Sequence, residues 1–337
     1  LSNQFSKNVL QATNSWKKSV SVDDLNGYGE AELSKVREGS DYVVSLQIPV
    51  YIDLMTYAEN RNLREEVYRA YISRASDVGI TPVKFDNRNV MDEILKLRSE
   101  MSTLLGLSNY AEYSVQSKMV DSPESVIDFL EKLVELSHLQ ATTELKDLEA
   151  FAGHSLMPWD LMFYSEKLKQ KVFNFKSADL KPYFPESSVL SGLFETIQNL
   201  YSVKLTEVEE DCYHPDVRVI MLEDENGPIG KIYFDVYARE NKRGGAWMSD
   251  FQGLYKDSLP VAFVVCNLNS PKDGKPALFD FDEIVTIFHE FGHALHHLLT
   301  KVTFPCAAGI SGVPWDGVEL PSQYMENFCY ERGVIDL

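Results

Sequence analysis

The chain has 337 residues, of which 44% are apolar and 25% are charged, and its formal net charge is −19. This composition is ordinary for a globular protein, and the length predicts two subdomains rather than one compact unit. The negative charge argues against nucleic acid and against anionic membranes as partners, because both require basic protein surface.

The longest apolar run, residues 259–268, is far too short to span a bilayer. We therefore expect no membrane and no nucleic acid among the partners. The four cysteines are widely spaced and form no CxxC pair, which predicts reduced thiols and a cytoplasmic protein. An organelle is the alternative location, because the chain opens without a methionine and we expect an N-terminal segment to be missing.

The first part of the chain has the apolar spacing of helices. This spacing recurs in residues 1–20, 60–76, 89–106, 122–151 and 158–173. In the longest of these segments, Ser122 suits the N-cap and Pro123 suits the first helical position. We assign residues 1–203 to a helical region.

The pattern changes near residue 204, where β-rich runs appear. Strand patterns occupy residues 216–240 and 260–269, and helical patterns return at 282–300 and 317–331. The sequence Glu-Asn-Gly at 225–227 predicts that the first strand pattern is a hairpin. We expect the strand at 260–267 to expose an edge that pairs with the backbone of a bound peptide. Residues 204–337 therefore form a second region, a small sheet flanked by two helices.

Residues 289–293 read HEFGH and lie within the helical pattern at 282–300. His289 and His293 are four residues apart, so both imidazoles project from one helical face and reach one tetrahedral ion. Glu290 completes the pattern His-Glu-x-x-His, in which the carboxylate takes a proton from a metal-bound water. Gly292 costs about 1 kcal/mol of helix stability relative to alanine. Either the close approach of another element to the metal or simple tight packing explains that glycine.

Two histidines do not complete a tetrahedral site, so a third ligand must come from elsewhere. The metzincin pattern HExxHxxGxxH is excluded, because Leu295 and Leu299 occupy its glycine and its last histidine positions. His296 and His297 follow on the same helix. One straight helix cannot wrap three side chains around one ion, so both are rejected as ligands.

Glutamates of the next predicted helix are the remaining candidates. Glu319 follows His293 after 25 intervening residues, which is enough for a loop and a return. Pro321 belongs near a helix start, so it places Glu319 at the beginning of the returning helix, facing the histidines. Glu326 lies seven residues further along the same face, as an alternative ligand or as a hydrogen-bond partner of a ligand histidine.

Two stretches that contain these residues resemble the thimet oligopeptidase family of zinc metallopeptidases, and within it the bacterial oligopeptidase A branch. They are GKPALFDFDEIVTIFHEFGHALHHLLT and GISGVPWDGVELPSQYMENFCYE. Segments such as REEVYRAYISRAS, PWDLMFYSEKLKQ and FDVYARENKRGGAWM match as well. The resemblance therefore spans nearly the whole chain.

The resemblance implies a mainly α, two-lobed zincin-type fold with a small antiparallel β-sheet beside the HExxH helix. It implies that residues 1–203 line a deep substrate channel and that residues 204–337 form the catalytic region. Carried over position by position, His289, His293 and Glu319 hold one Zn²⁺ per chain, and Glu290 is the general base. The implied substrates are short peptides, because the narrow channel excludes folded proteins. We expect a monomer.

Family members are roughly twice as long as this chain. Their later segment carries a tyrosine and a histidine that stabilise the tetrahedral intermediate. We therefore expect a central fragment that lacks both ends, with a C-terminally incomplete catalytic region. The main alternative to an active endopeptidase is a fragment that binds zinc or peptide without efficient cleavage. A further alternative is another HExxH peptidase, which trims free N-termini.

Overall fold

The computed structural model describes residues 1–78, 82–256, 258–271, 274 and 276–337. The chain forms two compact units, the first made of Leu1–Lys176 and Glu240–Gly244, the second of Ser177–Arg239 and Gly245–Leu337. The composition changes near residue 204, but the units divide earlier, because the helix Glu186–Tyr201 shares a core with the sheet that follows it. The channel-lining role of residues 1–203 stays a prediction.

Helices make up most of the first unit. Its elements are α1 (Ser2–Ser15), β1 (Lys17–Val20), α2 (Glu30–Val36), β2 (Arg37–Glu38), β3 (Asp41–Ser45), α3 (Ile48–Tyr57), α4 (Arg61–Ile72), α5 (Arg88–Leu104), α6 (Tyr110–Val115), α7 (Pro123–Ala152) and α8 (Leu161–Phe173). Short 3₁₀ turns cover Asp23–Leu25, Val83–Phe85 and Pro158–Asp160. The longest helix begins as predicted, since the Ser122 side chain accepts a hydrogen bond from the Ser125 backbone N–H.

A three-stranded antiparallel sheet in the order β1-β3-β2 was not predicted. The helical pattern over residues 1–20 stops at Ser15, because Trp16 turns extended and residues 17–20 pair with β3. The core beneath this sheet is apolar, with Leu54 and Val67 fully buried. Buried Arg64 donates to the Asp160 carboxylate at 3.0 Å, so a paired charge fixes α4 to the turn before α8.

The second unit combines a sheet with helices. Its elements are α9 (Glu186–Tyr201), β4 (Lys204–Val208), β5 (Arg218–Asp224), β6 (Gly227–Tyr237), β7 (Trp247–Gln252), β8 (Val261–Leu268), α10 (Phe281–Leu298), α11 (Leu320–Glu326) and α12 (Arg332–Ile335). Short 3₁₀ segments cover Ser177–Tyr183, Pro305–Ala307 and Asn327–Tyr330. The predicted hairpin is confirmed as β5 and β6, and the mainly α class is confirmed for the chain.

The five strands follow the order β4-β5-β6-β8-β7. The predicted antiparallel character holds for three of these ladders, but β6 and β8 are parallel. The parallel pair arises because the chain leaves β6, forms β7 and only then returns to the neighbouring position as β8. The expectation that 260–267 exposes an edge is therefore wrong. β8 is paired on both sides, and the edge strands of the sheet are β4 and β7.

The HExxH helix, α10, packs across one face of this sheet. Ile287 and Phe291 are fully buried, and the ring of Phe291 lies edge-on to Phe234 of β6 with centroids 5.3 Å apart. The sheet thus supports the apolar face of α10. In the described parts of the chain, no helix is both long and apolar enough to cross a membrane.

Candidate metal centre

The start of α10 is fixed by a reciprocal cap. The Asp280 carboxylate accepts from the Glu283 backbone N–H, and Glu283 accepts from the Asp280 backbone N–H, both at 2.9 Å. Such a capping box satisfies two helix donors that would otherwise lack partners. The helix therefore presents its third and fourth turns, which carry the HEFGH residues, in a fixed orientation.

The structure brings His289, His293 and Glu319 together. Glu319 Oε2 lies 3.2 Å from His289 Nε2 and 3.0 Å from His293 Nε2. One possible ligand atom from each residue lies within 4.8 Å of the other two. Two imidazoles and one carboxylate are a donor set of catalytic zinc sites, so these residues fit a zinc ion.

The surroundings of the two histidines suit ligation. Burial lowers the pKa of His293, although the neighbouring Glu319 acts in the opposite direction. A lowered pKa keeps the imidazole neutral, as a metal ligand must be. The Nδ1 atom of His289 lies 2.6 Å from Glu326 Oε1. Because a carboxylate only accepts, this contact suits the tautomer with the proton on Nδ1, which is the tautomer that leaves the Nε2 lone pair for a metal ion.

Glu326 thus contacts His289 at Nδ1, the ring nitrogen that does not face Glu319. Of the two roles left open for it by the sequence, the geometry favours the partner of a histidine over the direct ligand. The group of converging side chains contains Glu319 and leaves Glu326 out.

The crossing of α10 and α11 occurs at Gly292. A Cβ at this position would lie 2.5 Å from Ser322 Cα and 2.6 Å from the Pro321 carbonyl oxygen. Only glycine permits that approach, and the approaching element is the start of α11, next to Glu319. Ser322, fully buried at the crossing, has its hydroxyl 2.9 Å from Glu319 Oε2 and 2.8 Å from the Glu319 carbonyl oxygen. The crossing therefore carries Glu319 to the histidines.

Glu290 lies on the same helix with only 5% of its surface exposed. Burial raises its pKa to about 7, and the charge of Glu319 adds to that rise, while His289 and the backbone N–H of Met248 oppose it. Its Oε2 atom has no hydrogen-bond partner among the described residues. A buried carboxyl that titrates near neutral pH can both take up and release a proton.

The other two histidines of α10 are outside the converging group. His296 is half-buried and lines a groove of about 670 Å³ together with Tyr201 and Tyr324. His297 is fully buried, and its Nε2 lies 2.9 Å from the carbonyl oxygen of Gln252. Neither this contact nor that of Met248 could be predicted from the sequence, because both depend on where β7 lies and on backbone atoms that every residue type offers.

Comparison with known proteins gives the family of the chain. Residues 54–337 match the model of peptidase family M3. The chain belongs to this family. The resemblance inferred from the motifs, including the oligopeptidase A branch, is confirmed.

The chain is similar to relatives that are named as oligopeptidases and as dipeptidyl carboxypeptidases. The chain is 48% identical to oligopeptidase A of Escherichia coli, over 98% of the chain and 52% of the relative. It is 39% identical to organellar oligopeptidase A of Arabidopsis thaliana, over 99% of the chain and 46% of the relative. It is 32% identical to dipeptidyl carboxypeptidase of Escherichia coli, over 98% of the chain and 50% of the relative. The chain thus spans about half the length of these relatives.

Proposed function

We propose that the chain acts as a zinc-dependent endopeptidase that hydrolyses short oligopeptides, with one Zn²⁺ per chain. The observation that carries this proposal is the convergence of His289, His293 and Glu319, with the buried carboxyl of Glu290 on the same helix. Membership of family M3 and the 48% sequence identity to oligopeptidase A of Escherichia coli support it.

His289, His293 and Glu319 would hold the zinc ion, which when bound supplies a Lewis acid and lowers the pKa of a water molecule. Glu290 accepts the proton of the attacking water and delivers it to the leaving nitrogen of the peptide. The accepting atom is Oε2, which has no hydrogen-bond partner among the described residues. The backbone N–H of Met248 holds the carboxylate of Glu290 in place meanwhile.

The decisive experiment combines a metal assay with a doubly blocked substrate. The purified chain is loaded with zinc, its stoichiometry is measured, and an N-acetylated, C-amidated quenched fluorescent peptide is added. We expect one zinc per chain, hydrolysis of the blocked peptide, loss of hydrolysis on chelation and recovery on adding zinc. An endopeptidase needs neither free terminus, so cleavage of this substrate excludes both N-terminal trimming and C-terminal dipeptide release.

Other outcomes of this assay favour other functions. Zinc at one per chain without hydrolysis of any peptide favours the alternative, a chain that binds zinc or peptide without efficient cleavage. Hydrolysis that requires a free C-terminus favours the activity named in the dipeptidyl carboxypeptidase relative. Absence of stoichiometric zinc contradicts the proposal.

Glu326 offers an independent test of the metal centre. Partners that fix a ligand histidine change metal affinity by about 10–100-fold when they are removed. We therefore expect Glu326→Ala to weaken zinc binding by roughly this factor and Glu326→Gln to weaken it less, because an amide oxygen still accepts from Nδ1. Zinc affinity is measured by competition with a chromogenic chelator. The control is Glu331→Ala at an exposed position of the same segment, and equal affinities in all variants would contradict the role.

We also propose that the protein is a cytoplasmic monomer. The spacing of the cysteines supports a reducing compartment. An organelle stays the alternative, because the Arabidopsis relative is named as chloroplastic/mitochondrial. Light scattering coupled to gel filtration measures the oligomeric state, and a mass near 38.3 kDa is expected.

A further inference from the structure

His297 shares a helical face with Glu290. The two residues are seven positions apart on α10, which is close to two full turns, so their side chains project in nearly the same direction. Both contact β7. His297 Nε2 lies 2.9 Å from the carbonyl oxygen of Gln252, and the backbone N–H of Met248 is near enough to Glu290 to oppose the rise of its pKa. A carbonyl only accepts, so Nε2 of His297 donates.

The imidazole of His297 is enclosed. None of its surface is exposed, and its Nδ1 is buried without a hydrogen-bond partner among the residues that the structure describes. Gly309, with φ +59°, closes against the ring, since a Cβ there would lie 2.6 Å from His297 Nδ1. Its hydrogen bond to Gln252 therefore links α10 to β7 from within the protein interior.

β7 needs such a link because it is an edge strand. Within the described ranges it pairs with β8 alone, and an edge strand leaves a row of backbone groups without partners. On β7, the C=O of Gln252 accepts from His297, and the N–H of Met248 faces Glu290. The ladder with β8 shifts register between Asp250 and Gln252. Beyond the shift Gln252 pairs with Val261 and its side chain donates to the Leu259 carbonyl oxygen, and the bond from His297 adds the contact with α10.

We propose that His297 is a positioning residue whose hydrogen bond to Gln252 fixes β7 against α10, so that Met248 N–H stays on the Glu290 carboxylate. Without the bond, the far end of β7 loses its hydrogen bond to α10, and the strand that carries the N–H of Met248 is held less closely against Glu290. The role of His297 in hydrolysis rests on the proposed function, whereas the attachment of β7 to α10 by its hydrogen bond does not.

The test compares His297→Leu, which has no donor, with His297→Gln, whose amide N–H can donate over a similar reach. Hydrogen exchange of the amides of β7 is measured on the full chain, together with kcat and KM on the blocked peptide. We expect His297→Leu to speed exchange in β7 by about 10-fold, the loss of one net hydrogen bond. We expect kcat to fall by roughly 10-fold at unchanged zinc content and nearly unchanged KM, because orientation rather than binding is lost.

Restoration of the wild-type behaviour by a donor side chain at position 297 distinguishes a positioning role of His297 from a role in packing alone. His297→Gln should restore slow exchange and most of kcat, and the control pair His296→Leu and His296→Gln should leave β7 exchange unchanged. If His297→Leu does not fold, His297→Met replaces it as the variant that fills the site without a donor. Unchanged exchange in the donorless variant, or failure of His297→Gln to rescue it, overturns the proposal. A wild-type chain without hydrolysis refutes the proposed function instead, and the exchange data still decide whether His297 clamps β7.

Discussion

Replacing Glu290 by glutamine should abolish peptide hydrolysis while zinc stays bound. Glutamine has almost the same shape, but its amide cannot take up a proton at neutral pH. A positioned general acid or base contributes about 10²–10⁴-fold to the rate, so kcat should fall by at least about 10²-fold. Glu290 lies outside the group of His289, His293 and Glu319, so the zinc content should remain at one per chain. Turnover of the blocked peptide and zinc content are measured on the same preparation.

The matched control for this variant is Glu331→Gln, the same chemical change at an exposed position. It should leave turnover and zinc content as in the wild type. Retained turnover in Glu290→Gln would refute the role of Glu290 as the base. Loss of zinc together with turnover would also count against it, since the carboxyl would then be part of the metal-binding structure.

The same substitution has a consequence for stability. Burial raises the pKa of Glu290 from 4.5 to about 7, so the folded chain disfavours the ionised carboxylate. The contribution of Glu290 to the free energy of unfolding is therefore fully present below pH 4.5 and is lost as the pH rises through about 7. Glutamine carries no charge and avoids that loss. The metal-free Glu290→Gln chain should melt at or above the wild-type temperature at pH 8, which thermal unfolding followed by circular dichroism measures.

Much of the candidate site could be predicted because its spacing is local. Two residues four apart on a helix share a face whatever the rest of the fold does, which is enough to pair His289 with His293. Glu319 was within reach too, since Pro321 marks a helix start and the residues between His293 and Glu319 are enough for a loop and a return. The position of the Glu319 carboxylate agrees with that prediction.

The rest depends on contacts between distant segments. An apolar run such as 260–267 predicts a strand, but it carries no information about which neighbours pair with it, so the predicted free edge was wrong. The contacts of Met248 and Gln252 use backbone atoms, which leave no trace in residue type. For the same reason His297 could be rejected as a ligand from helical geometry, while its link to β7 required the sheet order.

Gly292→Ala should weaken zinc binding and destabilise the second unit. In a free helix the change is favourable by about 1 kcal/mol. Here the new Cβ meets Ser322 Cα at 2.5 Å and the Pro321 carbonyl oxygen at 2.6 Å. These are backbone atoms, which cannot rotate away, so the start of α11 must retreat by about 1 Å to reach ordinary contact distances. Overpacking of this kind typically costs about 1–3 kcal/mol, which outweighs the gain in helix propensity.

That displacement moves the segment that carries Glu319. A misplacement of about 1 Å can lower the rate of an enzyme by roughly 10²-fold, so we expect hydrolysis to fall by this factor and zinc affinity by at least about 10-fold. Gly333→Ala is the matched control, because a Cβ at Gly333 meets nothing within 4 Å, and it should leave zinc affinity unchanged. Chelator competition and thermal melting measure both variants. Equal zinc affinity in Gly292→Ala and the wild type would mean that α11 adjusts without moving the Glu319 carboxylate, and the crossing would then be a packing contact alone.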